Sequence, residues 1–291
     1  MSSNRQRPPR VRRPRLSDAE TEQRVLAAAL AALVEQGITV GLDGVRFEDV
    51  IRAADVSRTS AYRRWPTREV FLDDVLLELA RGSELPHIGE QVAAEATALL
   101  AAGVHELNSS AGRHDLLVEL LRLTFRADVT GTLASPQFQT YLALRAAFVG
   151  VPSVELRASL ADALARSERR AVARGRAVIS GAAQLFGLRL VPPLVGDDGF
   201  EVVARAVSAA INGFVVAALA DPHLVHDTRP LAPYGSTRTA DWSVPELMLA
   251  GIVLAHLQDD PEAPVPTPAS LASELPGLVA AGAEAAESVG A

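Results

Sequence analysis

The sequence contains no cysteine and no lysine, and only 4% of its 291 residues are aromatic. The absence of cysteine excludes disulfides and thiolate metal sites, and it fits a reducing cytoplasm, where we expect the protein to reside. All 28 basic residues are arginine, which a GC-rich coding genome explains more simply than selection for binding. Strand-like alternation of valine, threonine and tyrosine is rare, while alanine, leucine, arginine and glutamate dominate. The sequence therefore predicts an all-α fold.

Apolar residues make up 48% of the chain, which is ample material for a large core. The most apolar run, residues 206–220, is too short to span a bilayer. It predicts a buried helix, and we expect no membrane partner.

Charge is divided unevenly along the chain. The net charge of −7 by itself argues against nucleic-acid binding. However, residues 1–68 carry thirteen arginines against eight acids, a net charge of +5, and residues 69–291 carry fifteen against twenty-seven, a net charge of −12. Positive charge is therefore concentrated where a nucleic-acid-binding segment is predicted below.

Residues 46–68 predict two short helices joined by a tight turn. Phe47, Val50, Ile51 and Ala54 fall at i, i+3, i+4 and i+7, the spacing of one apolar helix face. Ser57 then provides an N-cap for the second helix. This arrangement is how a compact domain presents side chains to the DNA major groove.

The second helix has one apolar side. Ala61 and Trp65 are four residues apart and face the core, and Pro66 ends the helix. Thr67 can cap a further helix. The remaining side chains point largely away from the core, and they are Arg58, Thr59, Ser60, Tyr62 and Arg63.

This segment resembles the helix-turn-helix of the TetR family of bacterial transcriptional repressors. The matching residues are Val50–Ile51, Ala54–Ser57, Tyr62–Trp65 and Arg68–Glu69, and the resemblance covers about residues 20–80. It implies a three-helix DNA-binding head over residues 17–81 and a larger helical body that binds an effector and dimerises over residues 82–258. Residues 259–291 form a proline-rich linker and a tail, with a small helix predicted from Ser270 to Ser288.

Three departures from the family pattern weaken the helix before the turn more than the reading helix. Asp55 stands where the family has glycine, although aspartate tolerates a left-handed backbone. Arg46 replaces a capping threonine, at a cost of about 1 kcal/mol unless another group caps the helix. The connection over residues 37–45 is also longer than usual.

The chemistry of each side chain assigns its role on DNA. Arginine pairs bidentately with guanine and a threonine methyl contacts thymine. We expect contacts to base edges from Arg58, Thr59, Ser60 and Arg63. We expect contacts to phosphates from Ser57, Tyr62, Arg64, Thr67 and Arg68.

An arginine-rich arm, residues 1–16, precedes the first predicted helix, which Ser17 or Asp18 caps and Gly37 ends. The arm has no apolar segment typical of a signal peptide. Two interpretations stay open. The arm enters the minor groove through Arg10, Arg12, Arg13 and Arg15, or it is a disordered tail that adds only non-specific attraction.

The body follows a predicted hinge at residues 81–87. Its predicted helices cover residues 88–108, 113–127, 136–149, 153–187, 199–220 and 244–258. The family resemblance implies that the last two form a four-helix dimer interface. A dimer is also expected because one head contacts only about half a turn of DNA, whereas two heads bind a palindromic operator specifically.

The resemblance further implies a small-molecule effector, of unknown identity, whose binding changes the spacing of the two heads. The candidate lining residues are Leu121, Arg122, Phe125, Phe138, Tyr141, Arg145 and Phe148. Ordinary core or surface residues of any helical bundle have the same pattern, so this interpretation stays open beside the pocket.

Enzyme chemistry has little support in the sequence. His105–Glu106 and His114–Asp115 match no ligand spacing and are explained as well by exposed helix ends, and a solvated loop explains His223 and His226 better than a cation site does. We expect no metal, no cofactor and no enzymatic activity. The alternative is an all-α enzyme or protein-interaction module whose helix-turn-helix no longer reads DNA, an interpretation supported only by Asp55 and Arg46.

Overall fold

The computed structural model describes residues 17–36, 45–82, 89–103 and 106–289. These residues are all-α, as predicted, with short strands between some of the helices. They divide into two compact units, of which the first lies within residues 1–80 and 143–157 and the second within residues 81–142 and 158–291.

The helices in chain order are α1 (Asp18–Gln36), α2 (Phe47–Ala53), α3 (Arg58–Arg64), α4 (Arg68–Gly82), α5 (Gly89–Ala101), α6 (Ser110–Ala134), α7 (Pro136–Gly150), α8 (Val154–Leu185), α9 (Gly196–Ala220), α10 (His223–His226), α11 (Val244–Leu254) and α12 (Pro268–Ser288). The strands are β1 (Leu188–Leu190), β2 (Arg229–Leu231), β3 (Ala240–Trp242) and β4 (Leu257–Asp259).

A reciprocal cap starts α1. The Ser17 hydroxyl accepts a hydrogen bond from the backbone N–H of Glu20 at 3.1 Å, and the Glu20 carboxylate accepts one from the backbone N–H of Ser17 at 2.7 Å. Both contacts satisfy amides that have no partner within the helix. The structure thus confirms Ser17 as the cap, while Gly37 lies outside the described residues.

The turn between α2 and α3 forms despite its aspartate. Asp55 has a φ of 53°, in the left-handed region that glycine adopts most easily. Ser57 caps α3 by accepting a hydrogen bond from the backbone N–H of Ser60 at 3.1 Å. The Arg46 side chain makes no capping hydrogen bond, as predicted, yet α2 forms.

An aromatic cluster packs beneath α3 in the first unit. The rings of Phe47 and Phe71 stack at 4.4 Å, and the Trp65 ring meets their edges at 6.0 Å and 5.8 Å respectively. Trp65 and Phe71 are fully buried. Since α2, the end of α3 and α4 each contribute one of these rings, the cluster fixes the three helices to each other.

The second unit is a helical bundle in which α6 packs against α9 and α11, and α5 packs against α12. The predicted C-terminal helix is confirmed as α12. Its Leu271 and Leu275 are buried in one core with Leu116 and Phe186. The tail is therefore part of the bundle.

The sequence did not predict the strands. β1 pairs antiparallel with β4, and β2 pairs antiparallel with β3. Each strand has only three residues, which is too short to display the alternation of apolar and polar residues that marks a strand.

One face of α9 is exposed, which differs from the prediction of a helix buried all round. Val202, Val216 and Leu219 are about half exposed, at 51%, 48% and 53%. The reason is that, among the described residues, α6, α10, α11 and β1 pack against α9 and leave this face uncovered. In the described part of the chain, α9 alone is long and apolar enough to cross a membrane, and 28% of its most apolar stretch is buried.

We predict that Asp55→Ala destabilises the protein by about 1–2 kcal/mol, because alanine lacks the polar side chain that helps aspartate tolerate a left-handed backbone. Asp55→Gly is the control and should change stability less, since glycine adopts this conformation freely. Urea unfolding of the three proteins measures the difference. Equal stabilities of the alanine and glycine variants would contradict this account of the turn.

Candidate nucleic-acid interface

The exposed surface of α3 carries most of the predicted base-contacting residues. Arg58, Thr59 and Arg63 are exposed. Ser60 is half-buried, and its hydroxyl lies 2.9 Å from the Ser57 hydroxyl, within the cap of α3. Three of the four predicted side chains are therefore exposed, and the fourth shares its hydroxyl with the cap.

Two of these arginines pair with acids of neighbouring helices. The Arg58 guanidinium lies 2.9 Å from the Glu48 carboxylate, and Arg63 pairs with Asp18. The four side chains are between 42% and 76% exposed. Exposed ion pairs of this kind contribute about 0–1 kcal/mol, so a DNA phosphate or guanine edge can replace the carboxylate at little cost.

Tyr62, predicted to contact phosphate, lies against the same acid. Its hydroxyl donates a hydrogen bond to Glu48 at 2.8 Å, and its ring meets the edge of Phe47 at 5.3 Å. The hydrogen bond to Glu48 raises the pKa of Tyr62, so the phenol stays a hydrogen-bond donor. A donor at this position suits a phosphate oxygen.

Arg64 is held within the protein more firmly than the other α3 arginines. Its guanidinium donates two hydrogen bonds to Glu22, at 3.0 Å and 3.1 Å, and lies 2.8 Å from Asp74. It also lies 5.3 Å from the centre of the Trp65 ring. The hydrogen bonds that Arg64 donates to Glu22 raise the pKa of Arg64. Arg64 thus links α1, α3 and α4, and its phosphate contact remains a prediction.

The start of α4 presents the last two predicted phosphate contacts. Thr67 and Arg68 are exposed. The Thr67 hydroxyl lies 3.4 Å from the backbone nitrogen of Val70, which makes it a weak cap. In the same turn, hydrogen bonds from its own backbone N–H and from Thr67 lower the pKa of Glu69. A carboxylate therefore already uses part of this anion-favouring helix end.

The predicted minor-groove arm, with Arg10, Arg12, Arg13 and Arg15, lies outside the described residues. The two interpretations of the arm are therefore unchanged.

Comparison with known proteins shows a similarity over a short segment. The chain is 42% identical over 65 residues to the HTH-type transcriptional regulator AqdR of Rhodococcus erythropolis. The match covers 22% of this chain and 30% of AqdR, so it spans less than a third of that relative. No family model matches the sequence, and no solved structure matches it. The similarity thus supports a helix-turn-helix regulator and is limited to a short segment.

The predicted effector residues of the second unit lie mostly in its core. Phe125, Phe138 and Tyr141 are buried, and the rings of Phe138 and Tyr141 stack at 6.0 Å. The Tyr141 hydroxyl donates to Glu168. Leu121 packs partly buried against the bundle core. These contacts are those of core residues.

The other candidates have different surroundings. Arg122 is buried, and it donates hydrogen bonds to Glu119 at 2.7 Å and 2.5 Å and to the backbone carbonyl of Asp241 at 3.2 Å. The hydrogen bonds to Glu119 raise the pKa of Arg122. Phe148 is half-buried and Arg145 is exposed, and both belong to the first unit. Among the described residues, a cavity beside Arg126 and another beside Glu106 are lined by none of the predicted residues.

Sequence analysis did not predict that a row of polar side chains on α6 makes buried contacts. Asp115 is buried and accepts hydrogen bonds from the Ser236 hydroxyl and the Thr237 N–H, both at 2.8 Å. His114 lies 2.7 Å from the Tyr234 carbonyl. The explanation of His114–Asp115 as an exposed helix end is therefore wrong, because these side chains hold the loop between β2 and β3.

The row continues about two and three turns further along α6. Arg122 and Arg126, seven and eleven residues after Asp115, both donate to the carbonyl of Asp241, and Arg126 also pairs with Glu246 at 2.7 Å. The spacing of these charged residues on one helix face was the available signal. By itself this spacing does not show whether the charged face of α6 meets water or packs against polar groups of another segment.

The segment with His223 and His226 forms the short helix α10 and belongs to no cluster of metal ligands among the described residues. His223 lies 3.3 Å from Asp227, and both side chains are more than 70% exposed. Within the described residues no group of three or more metal-ligating side chains comes together. His105 lies outside those residues.

We predict that Asp74→Ala destabilises the protein by about 1–3 kcal/mol. Its carboxylate accepts the hydrogen bond of the fully buried Trp65 indole at 2.8 Å and also pairs with Arg64, so its loss leaves a buried donor without a partner. The matched control is Asp73→Ala, which should be nearly neutral. Burial is the main cause that raises the pKa of Asp73, and the neighbouring carboxylates raise it further. The charged form of Asp73 is therefore not stabilised by folding.

Thermal unfolding at neutral pH measures both variants. Comparable losses of stability in the two would show that the Trp65 and Arg64 contacts do not distinguish Asp74 from its neighbour.

Proposed function

We propose that this chain is a TetR-like transcriptional regulator. It acts as a repressor in the cytoplasm, binds a palindromic operator in double-stranded DNA as a homodimer, and is released by a small-molecule effector. The observation that carries the proposal is the capped helix α3, which exposes Arg58, Thr59 and Arg63 above a rigid aromatic cluster. The segment-level similarity to a helix-turn-helix regulator supports it.

The geometry of α3 suits base reading. A helix enters the major groove when its exposed side chains project from a rigid support, and the Ser57 cap and the buried Trp65 hold its two ends. Arg63 supplies a bidentate partner for guanine. Phosphate contacts from Tyr62, Thr67 and Arg68 would fix the orientation of the head on the duplex.

The uncovered face of α9 supports a dimer. Exposed small and apolar residues recur along it at intervals of three and four, and they are Val202, Ala206, Ala209, Gly213, Val216 and Ala220. A side chain added at Gly213 would meet none of the described residues within 4 Å, which leaves room for a second helix to approach closely. The neighbouring helix α11 exposes Val244 and Met248. A second copy of the same two helices would cover this apolar surface.

The alternative is an all-α enzyme or interaction module with a helix-turn-helix that no longer reads DNA. The two departures that favoured it, Asp55 and Arg46, leave the turn and α2 formed. We therefore favour the regulator over an enzyme.

We predict that Arg63→Ala weakens binding to the promoter region beside the protein's own gene by about tenfold to a hundredfold, since one bidentate base contact contributes about 1–3 kcal/mol. The matched control is Arg52→Ala, which removes an exposed arginine of α2 that pairs with Asp49 at 2.9 Å and should bind as wild type does. A mobility-shift titration measures both. Binding should fall steeply with salt in every case.

If wild type binds no palindromic DNA at moderate salt, the regulator proposal is abandoned. If Arg63→Ala binds as tightly as wild type, Arg63 does not contact a base.

We predict that Val216→Asp converts the dimer to a monomer, because it places a charge in the centre of the apolar α9 face. Val265→Asp is the control, since Val265 is 70% exposed and lies outside the helices. Sedimentation velocity of both variants and wild type measures the oligomeric state. A monomeric wild type would overturn the dimer, and a wild type that requires detergent to remain in solution would favour a membrane role for α9.

A further inference from the structure

The second unit contains a cavity of about 230 Å³ that is separate from the predicted effector residues. It lies between α6, α10 and the start of α11. Its lining residues are Arg126, Val129, Thr130, Val225, His226, Thr228, Ser243 and Glu246. The wall therefore combines a cation, an imidazole and hydroxyl groups with two buried valines, Val129 and Val225.

The acceptors of this wall are already occupied. Both carboxylate oxygens of Glu246 accept from Arg126, at 2.7 Å and 3.3 Å, and one also accepts the backbone N–H of Ser243 at 3.0 Å. Glu246 is buried, so these contacts meet its need for partners. The only carboxylate in the lining is therefore already engaged.

Donors, in contrast, remain free. Arg126 uses its Nε and Nη2 atoms for Glu246 and the Asp241 carbonyl, and its Nη1 atom makes no hydrogen bond to the described residues. Within the same residues, neither the His226 ring nor the Thr228 hydroxyl makes a hydrogen bond. A guanidinium N–H, an imidazole and a hydroxyl that can all donate, beside an apolar wall, suit an anionic acceptor attached to a short apolar body.

We propose that this cavity binds a small carboxylic acid. The carboxylate accepts hydrogen bonds from Arg126 Nη1, His226 and Thr228, and the apolar body of the acid lies against Val129 and Val225. A charged acceptor is preferred over a neutral amide because guanidinium-to-carboxylate hydrogen bonds are roughly twice as strong as neutral ones.

The site contacts the start of α11 through Glu246. Glu246 completes the capping box of α11 with Ser243 while it neutralises Arg126. A carboxylate bound to Arg126 Nη1 shares one guanidinium charge with the Glu246 carboxylate, which accepts from Nε and Nη2, so it weakens the contact that holds the start of α11. This regulatory part rests on the proposed function, in which α11 belongs to the dimer interface, whereas carboxylate binding itself does not.

Calorimetric titration of the full chain tests the site without DNA. The probes are benzoate and hexanoate, each compared with its uncharged amide. We expect each acid to bind at least tenfold more tightly than its amide, and Arg126→Gln to reduce acid binding at least tenfold. Because Arg126→Gln leaves Glu246 buried without its cation, thermal melting must show that the variant is folded.

A second pair of variants keeps the test independent of that change. His226→Gln should weaken acid binding several-fold, whereas His223→Gln, in the same short helix but outside the cavity lining, should not. The site is overturned if neither acid binds, if acids and amides bind alike, or if His226→Gln and His223→Gln have equal effects.

Mobility shifts with the tighter acid then test the coupling. Release of DNA by the acid supports the route through Glu246, and unchanged DNA binding with acid bound overturns that route alone. If wild type binds no DNA while the acid still binds, the regulator proposal fails and the carboxylate site stands.

Discussion

The buried indole of Trp65 is the contact on which the arrangement of the first unit depends. It closes α3, packs against the rings of Phe47 and Phe71, and donates its N–H to Asp74 on α4. A large ring with one hydrogen-bond donor has few orientations in which both the apolar surface and the donor are satisfied. The packing of the Trp65 ring therefore fixes the position of α3. The exposed arginines at its surface gain a rigid support, which base recognition requires.

The same principle of satisfied polar groups explains the second unit. Asp115, Arg122 and Arg126 lie on one face of α6 and hold the segment that carries β2, β3 and the start of α11. Buried ion pairs contribute little net stability, because desolvation opposes the attraction. Their value is that they permit one arrangement, since any other leaves a charge without a partner. This explains how a segment with only three-residue strands keeps a defined position on the bundle.

One face of α9 is left uncovered by the described residues. Its apolar stripe would be costly in water, and two coverings are physically possible, a second copy or a lipid phase. The stripe carries small residues at intervals of three and four, and Gly213 leaves space for a neighbouring backbone. A closely approaching helix uses that space, whereas lipid chains do not need it. This favours a helix from a second copy.

The sequence by itself determined the local structure. Periodicity predicted the all-α fold, the identity of Ser17 and Ser57 predicted their caps, and Pro66 predicted the end of α3, because each depends on residues within one or two turns. Tertiary structure decided what depends on residues distant in sequence. It gave Arg64 two acidic partners from other helices, buried Asp115 against a loop about 120 residues away, exposed one face of α9, and placed Arg126 beside His226 in a cavity. Spacing along one helix reveals which side chains share a face, but only packing determines what that face meets.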